Sequence, residues 1–174
     1  MSKERLVESI RTIPDYPKKG ILFYDVTTLF KDPEALRLAA DILYEMYKDK
    51  GITKVAGIES RGFILGSILA ERLGAGFVMV RKPGKLPAET IEISYEKEYG
   101  TDTIQIHKDA IGPDDVVLMH DDLLATGGTM RAACQMVQTM KPRKVYVNFL
   151  IELKALHGRE VFGNDVTLDT VLAL

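Results

Sequence analysis

The chain is predicted to have an α/β fold: a central parallel sheet flanked by helices, with a small hood or flap beside it. Three observations lead there. Short apolar runs at Lys54–Ile58, Gly76–Val80, Val116–Met119 and Lys144–Ile151 alternate with segments of helical periodicity, the pattern of strands joined by crossover helices. Two of these runs deliver polar loops at their C-terminal ends, Glu59-Ser60-Arg61-Gly62 and Asp121-Asp122, where function gathers in open α/β sheets. The 174 residues are 46% hydrophobic and 28% charged, which suits one globular domain spanning 1–174.

In order along the chain, Leu6, Val7, Ile10 and Ile13 recur at helical spacing. They predict an amphipathic helix over Ser2–Ile13, ended by Pro14. A rigid connector, Pro14–Gly20, leads to a short apolar extended segment, Ile21–Val26. Asp32-Pro33-Glu34 reads as a helix start with Asp as N-cap and Pro at the first helical position. Leu36, Ala39, Ala40, Leu43 and Tyr47 give that helix its apolar face, and Gly51 closes it. The Lys54–Ile58 strand is followed by a helix over Phe63–Leu73, closed by Gly74.

The Gly76–Val80 strand emits Arg81-Lys82-Pro83-Gly84-Lys85-Leu86-Pro87, a basic loop that reads as a solvated turn or an anion clamp. Thr90–Tyr95 and Thr101–His107 are extended segments around a Glu96–Gly100 loop. Ile111–Asp115 is a turn into Val116, and Met130–Met140 is helical. A core strand at Lys144–Ile151, a helical piece at Glu152–Glu160 and an edge strand within Asn164–Leu174 complete the chain. Cys134 is the only cysteine and suits a buried apolar role. His120, at a strand end, suits packing.

The stretch Val116–Thr129 organises the rest. A strand runs into Asp121 and Asp122, then into Ala125-Thr126-Gly127-Gly128-Thr129 and a helix. Glycines let backbone N–H groups approach a phosphate at a partially positive helix N-terminus, and Thr126 and Thr129 add hydroxyls. Carboxylates would repel phosphate, so Asp121 and Asp122 suit sugar hydroxyls or a magnesium ion. The stretch reads as a site for a phosphorylated sugar. Gly127 reads as a position kept bare so that backbone amides can reach the ligand.

This run resembles the phosphoribosyl-diphosphate (PRPP) motif of the type I phosphoribosyltransferases: apolar residues, two acidic residues, two apolar residues, then Ala/Thr-Thr-Gly-Gly-Thr. Three further segments resemble the adenine-specific branch. Pro17-x-x-Gly20-x-x-Phe23-x-Asp25 is similar to its base-binding segment, although Tyr24 stands where Arg is common. Glu59-Ser60-Arg61-Gly62 is similar to its pyrophosphate loop, which often carries a non-proline cis peptide. Glu98-Tyr99-Gly100 is similar to its flexible loop. The resemblance runs from about Leu6 to Phe162.

The resemblance implies the type I phosphoribosyltransferase fold and the reaction of adenine with PRPP to give AMP and diphosphate with Mg²⁺, the ion held mainly through PRPP and water. It implies adenine contacts at Leu22, Phe23 and Tyr24, and diphosphate contacts at Ser60, Arg61, Arg81, Lys82 and Lys85. Asp121 and Asp122 would hold ribose or Mg²⁺, and Ala125, Thr126, Gly127, Gly128 and Thr129 the 5′-phosphate. Catalytic roles would fall to Glu98, Tyr99 and Arg61. On the residues alone, Phe23 is as well suited to core packing, Arg61 to a surface ion pair and Glu98 to a solvated turn. Two other functions stay open, the same chemistry on another purine and a PRPP-sensing regulator.

A homodimer is implied as well. The net charge of -2 implies no broad nucleic-acid surface. No apolar run reaches membrane-span length and the N-terminus lacks an apolar signal core. A cytoplasmic location is expected.

Overall fold

The computed structural model describes residues 2–174. Five parallel strands form the sheet: β3 (Lys54–Ile58), β4 (Gly76–Val80), β7 (Val116–Leu124), β8 (Lys144–Glu152) and β9 (Thr167–Ala173), in the order β4-β3-β7-β8-β9. The predicted fold class is found. Strand β7 shows why the sheet is covered on both faces. Val116 and Leu118 point into one core with α3 (Pro33–Tyr47) and α4 (Gly62–Leu73), while Val117 and Met119 point into a second core with α5 (Gly128–Gln138). This is the period-two alternation of a strand with both faces buried.

Two hairpins stand off the sheet. In the N-terminal hood, β1 (Arg11–Pro14) pairs antiparallel with β2 (Leu22–Asp25). The second hairpin joins β5 (Thr90–Lys97) to β6 (Gly100–His107), with Glu98 and Tyr99 at its tip. Paired backbone bonds between Arg81 and Gln105 attach it to the end of β4.

Several boundaries move from their predicted places. The first helix, α1, covers only Lys3–Ser9, and Arg11–Pro14 is strand. The helical spacing of Ile13 yields to pairing with Phe23 in β2, and Pro14 ends a strand rather than a helix. A five-residue helix, α2 (Thr27–Lys31), has no counterpart in the predicted elements. Helix α3 is capped as predicted, with the Asp32 carboxylate accepting from the backbone N–H of Glu34 and Ala35. It ends at Tyr47, ahead of Gly51. Strand β7 runs through both aspartates to Leu124. Helix α5 starts two residues before Met130, and the Glu152–Glu160 segment forms two 3₁₀ turns, Lys154–Leu156 and Gly158–Val161.

Candidate active site

The site forms where β3, β4 and β7 end. Asp121 and Asp122 alternate across β7, so they face different sides of the sheet. Asp121 borders three concavities. One, of about 110 Å³, is enclosed by Ala125–Thr129. A second, of about 260 Å³, is lined by Glu59, Ser60, Arg61 and Asp122. The third, of about 280 Å³, holds Arg81, Lys82, Tyr95, Lys97 and Asp102. Burial, and then the charge of Asp122, raise the Asp121 pKa well above its ordinary value. Its Oδ1 accepts from the backbone N–H of Asp122 at 2.8 Å.

Asp122 lies on the other face, almost fully buried, with Arg61 Nε 2.7 Å from its Oδ2. The approach lies off the hydrogen-bond direction, so Oδ2 has a charge partner but no directed donor among the described residues. Arg61 is half exposed and keeps its remaining N–H groups available to an anion. It sits at the start of α4, after the cis Glu59–Ser60 peptide. Helix and strand approach closely here: a Cβ on Gly62 would meet Asp121 Oδ1 and His120 O at 3.0 Å.

His120 lies beneath, fully buried, with Nδ1 3.2 Å from Asn148 Oδ1. Burial pushes its pKa down to about 4, so the ring is neutral at pH 7. Nε2 has no partner among the described residues. Packing governs this position, in line with the sequence expectation.

The loop Ala125–Thr129 turns from β7 into α5. Gly127 is the N-cap, at φ +85°, and its C=O accepts from Arg131 N at 2.9 Å. The first N–H groups of α5 are those that a helix leaves without internal partners. The bare Cα of Gly127 has a reason in the fold as well. A Cβ there would strike Gly158 O at 2.6 Å and Val161 Cγ2 at 2.8 Å. The clash comes from the segment packed behind the loop.

The basic loop is already engaged. Arg81 Nε donates to Glu59 Oε1 at 2.6 Å, and Lys82 Nζ to Asp102 Oδ2 at 2.7 Å. Lys97 also approaches Asp102, at 3.2 Å. The Lys82 hydrogen bond leads the causes that hold Asp102 down at about 2. Lys82 thus lines the cleft while paired with Asp102, and Lys85 is exposed. Tyr95, Lys97 and Asp102 line this cleft and were not among the predicted site residues. Their signal lay in the alternation of the hairpin, whose register sets Tyr95 opposite Asp102.

In the hood, Leu22 is exposed and Phe23 stacks edge-on against Tyr16 with ring centres 5.1 Å apart. Tyr24 packs toward the first core. Asp25 anchors the hairpin: Oδ1 accepts from Thr27 N and Oγ1, at 3.0 and 2.6 Å, and Oδ2 pairs with Arg11. Lys18 of the hood lies 5.5 Å from the ring centre of Tyr99, within cation–π range. The hood and the Glu98–Tyr99 tip therefore approach one another.

Residues 25–166 match the phosphoribosyl transferase domain family. The chain is 71% identical over 174 residues to the adenine phosphoribosyltransferase of Bacteroides thetaiotaomicron, covering 100% of this chain and 99% of that protein. Its fold matches the crystal structure of adenine phosphoribosyltransferase from Rhodothermus marinus with a TM-score of 0.91 and 53% identity, over 98% of this chain and 97% of that one. It also matches the Giardia lamblia enzyme complexed with 9-deazaadenine, with a TM-score of 0.93 and 46% identity, over 100% of this chain and 98% of that one. The chain belongs to the phosphoribosyltransferase family, in its adenine phosphoribosyltransferase branch.

Proposed function

We propose that the site transfers the 5-phosphoribosyl group of PRPP to adenine, forming AMP and releasing diphosphate. The observation that carries this reading is the position of Asp121, shared by three concavities of different chemistry. A backbone-rich phosphate cradle, an arginine loop and a mixed cleft walled by the β5–β6 hairpin suit a ligand with a phosphate at one end, a diphosphate at the other and a sugar between.

Ala125–Thr129 would bind the 5′-phosphate through backbone N–H groups and the Thr126 and Thr129 hydroxyls. Asp121 and Asp122 would hold the ribose hydroxyls, and their charge favours a cation-like sugar in the transition state. Ser60, Arg61 and the Arg81–Lys85 loop would receive the diphosphate. Adenine would lie between Phe23 and the hairpin, with backbone groups of Leu22 reading its edge. As N9 bonds to the anomeric carbon, the bond from that carbon to the diphosphate oxygen breaks and the purine sheds a proton. Glu98 is the group for that proton, with Tyr99 closing the tip over it.

The residues present fit Mg²⁺ in one manner. Among the described residues no cluster of three His, Cys, Asp or Glu side chains forms a cage. Two adjacent carboxylates suit an ion that takes most of its ligands from phosphates and water. Asp121 would be its protein side, with Asp122 behind it on the concavity of Ser60 and Arg61 that both border, and the ion would supply neutralising charge for the diphosphate.

The reading extends to a cytoplasmic enzyme acting as a homodimer, without membrane or nucleic-acid partners. Among the described residues no helix is long and apolar enough to cross a membrane. Sedimentation at micromolar concentration tests the dimer: a fully active monomer overturns it. The activity is tested by conversion of labelled adenine to AMP with and without PRPP. Conversion only with PRPP is expected, and its absence overturns the reading. Stabilisation by hypoxanthine plus PRPP equal to that by adenine plus PRPP overturns the choice of purine.

A further inference from the structure

We infer that the Gly158–Val161 turn is the back wall of the phosphate loop, making Gly158 and Arg159 positioning residues for the amides that meet the 5′-phosphate. The inference rests on the reading of Ala125–Thr129 as that phosphate site.

The contact between turn and loop is backbone against backbone from both sides. A Cβ on Gly158 would lie 2.2 Å from Ala125 O and 3.1 Å from Ala125 C, with Leu124 Cδ1 at 2.9 Å. A Cβ on Gly127 would lie 2.6 Å from Gly158 O. Real Cβ atoms do not tolerate such distances, so neither residue accepts a side chain without moving the other strand of chain. Gly158 is buried and its φ is not positive, so space alone excludes a side chain there. Gly127 needs its positive φ as well.

The turn is itself fixed to the sheet. Arg159 donates Nε and Nη2 to Glu152 Oε1 and Oε2, at 3.1 and 2.6 Å, and Nη1 to Leu168 O at 3.1 Å. Thr170 Oγ1 donates to the same Glu152 Oε2 at 3.1 Å. One guanidinium thus bolts the turn to the ends of β8 and β9 through a two-pronged charge-assisted pair. Phe162, next along the chain, packs edge-on against Phe149 of the loop cavity, with centroids 6.5 Å apart. The phosphate loop has little regular structure of its own, and this wall supplies a rigid support. A loop displaced by a fraction of an ångström would misdirect several N–H groups at once.

The test compares AMP with adenosine, which differ only in the phosphate, in direct binding to the full chain. Gly158→Ala and Arg159→Met are expected to weaken AMP about ten- to hundredfold and leave adenosine unchanged. Circular dichroism and gel filtration confirm folding. Arg159→Met, altering a half-exposed side chain, decides the matter if Gly158→Ala does not fold. A purely structural role predicts equal weakening of both ligands, or of neither, and either result in Arg159→Met overturns the inference. A Thr126→Ala/Thr129→Ala double variant tests the underlying reading separately. If it keeps the full preference for AMP over adenosine, the phosphate site lies elsewhere. If it loses that preference while Arg159→Met keeps it, only the back wall is wrong.

Discussion

The hydroxyl groups of Tyr95 and Thr129 lie 2.8 Å apart, joining the β5–β6 hairpin to the first turn of α5. A hydroxyl can donate once and accept as well. Thr129 can therefore give its proton to a phosphate while accepting that of Tyr95. Tyr95→Phe is expected to raise the KM for PRPP about two- to tenfold, the worth of one hydrogen bond, with kcat changed less. Steady-state kinetics with PRPP varied checks this, and an unaltered KM contradicts it.

Asp121 and Asp122 are expected to act on the sugar and not on the base. Replacing both with Asn keeps their size and removes their charge. The kcat should fall more than adenine affinity, because that charge matters most in the transition state. The Asp122→Asn change also removes the charge that faces Arg61 at 2.7 Å. Loss of adenine affinity alone would be the wrong signature.

Glu98→Leu should slow single-turnover AMP formation by about 10²–10⁴-fold, the usual span for a general acid or base, with PRPP affinity little changed. Glu96→Leu on the same hairpin serves as the comparison. Both carboxylates are exposed, so neither substitution should unfold the chain. If Glu96 is the sensitive position, or neither is, Glu98 does not handle the proton.

The hood should loosen in acid. Hydrogen bonds from Thr27, and then from Arg11, hold the Asp25 pKa down to about 2 from 3.8. A carboxyl with a depressed folded-state pKa contributes stability above its unfolded pKa and loses it as pH falls through the folded one. The loss should therefore occur between pH 4 and about 2, and amount to on the order of 1–2 kcal/mol. Urea titrations of the parent and Asp25→Asn at pH 6 and pH 3 should show the parent losing more than the variant. A pH-independent gap between them would refute the assignment.

The long periodic elements were legible in the chain. Helix α3 announced its start through Asp32-Pro33-Glu34, and the Asp32 cap is present. Strand β4 occupies the predicted Gly76–Val80. The five-residue core strands were legible as continuous apolar runs, but β1 and α2 were not, because they mix polar and apolar residues and are too short to display a period. Ile13 fits a helical stripe and still pairs in β1. The two aspartates of β7 look like a loop in sequence, yet Asp121 pairs with Phe149 and Leu124 with Glu152. Sheet pairing overrides local polarity there.

The same division holds in the site. The acidic pair and Gly-rich loop are contiguous in sequence, so their chemistry could be read from one stretch. The ion pair of Lys82 with Asp102, and the contact of Tyr95 with Thr129, depend on tertiary approach. So does the packing of Gly127 on Gly158, residues 31 positions apart. A glycine in sequence cannot say whether its missing side chain makes way for a ligand or for another piece of the chain.

Strands β3 and β7 lie side by side and parallel, yet the helices they feed leave in opposite directions. From β3 the chain turns into α4 on one face and proceeds to β4. From β7 it turns into α5 on the other face and proceeds to β8. At this topological switch point the two loops part, and no crossover helix can fill the gap between them. The crevice is therefore a result of the order in which the strands were laid down. Substitutions can change what the crevice recognises, but the crevice itself lasts as long as the strand order does.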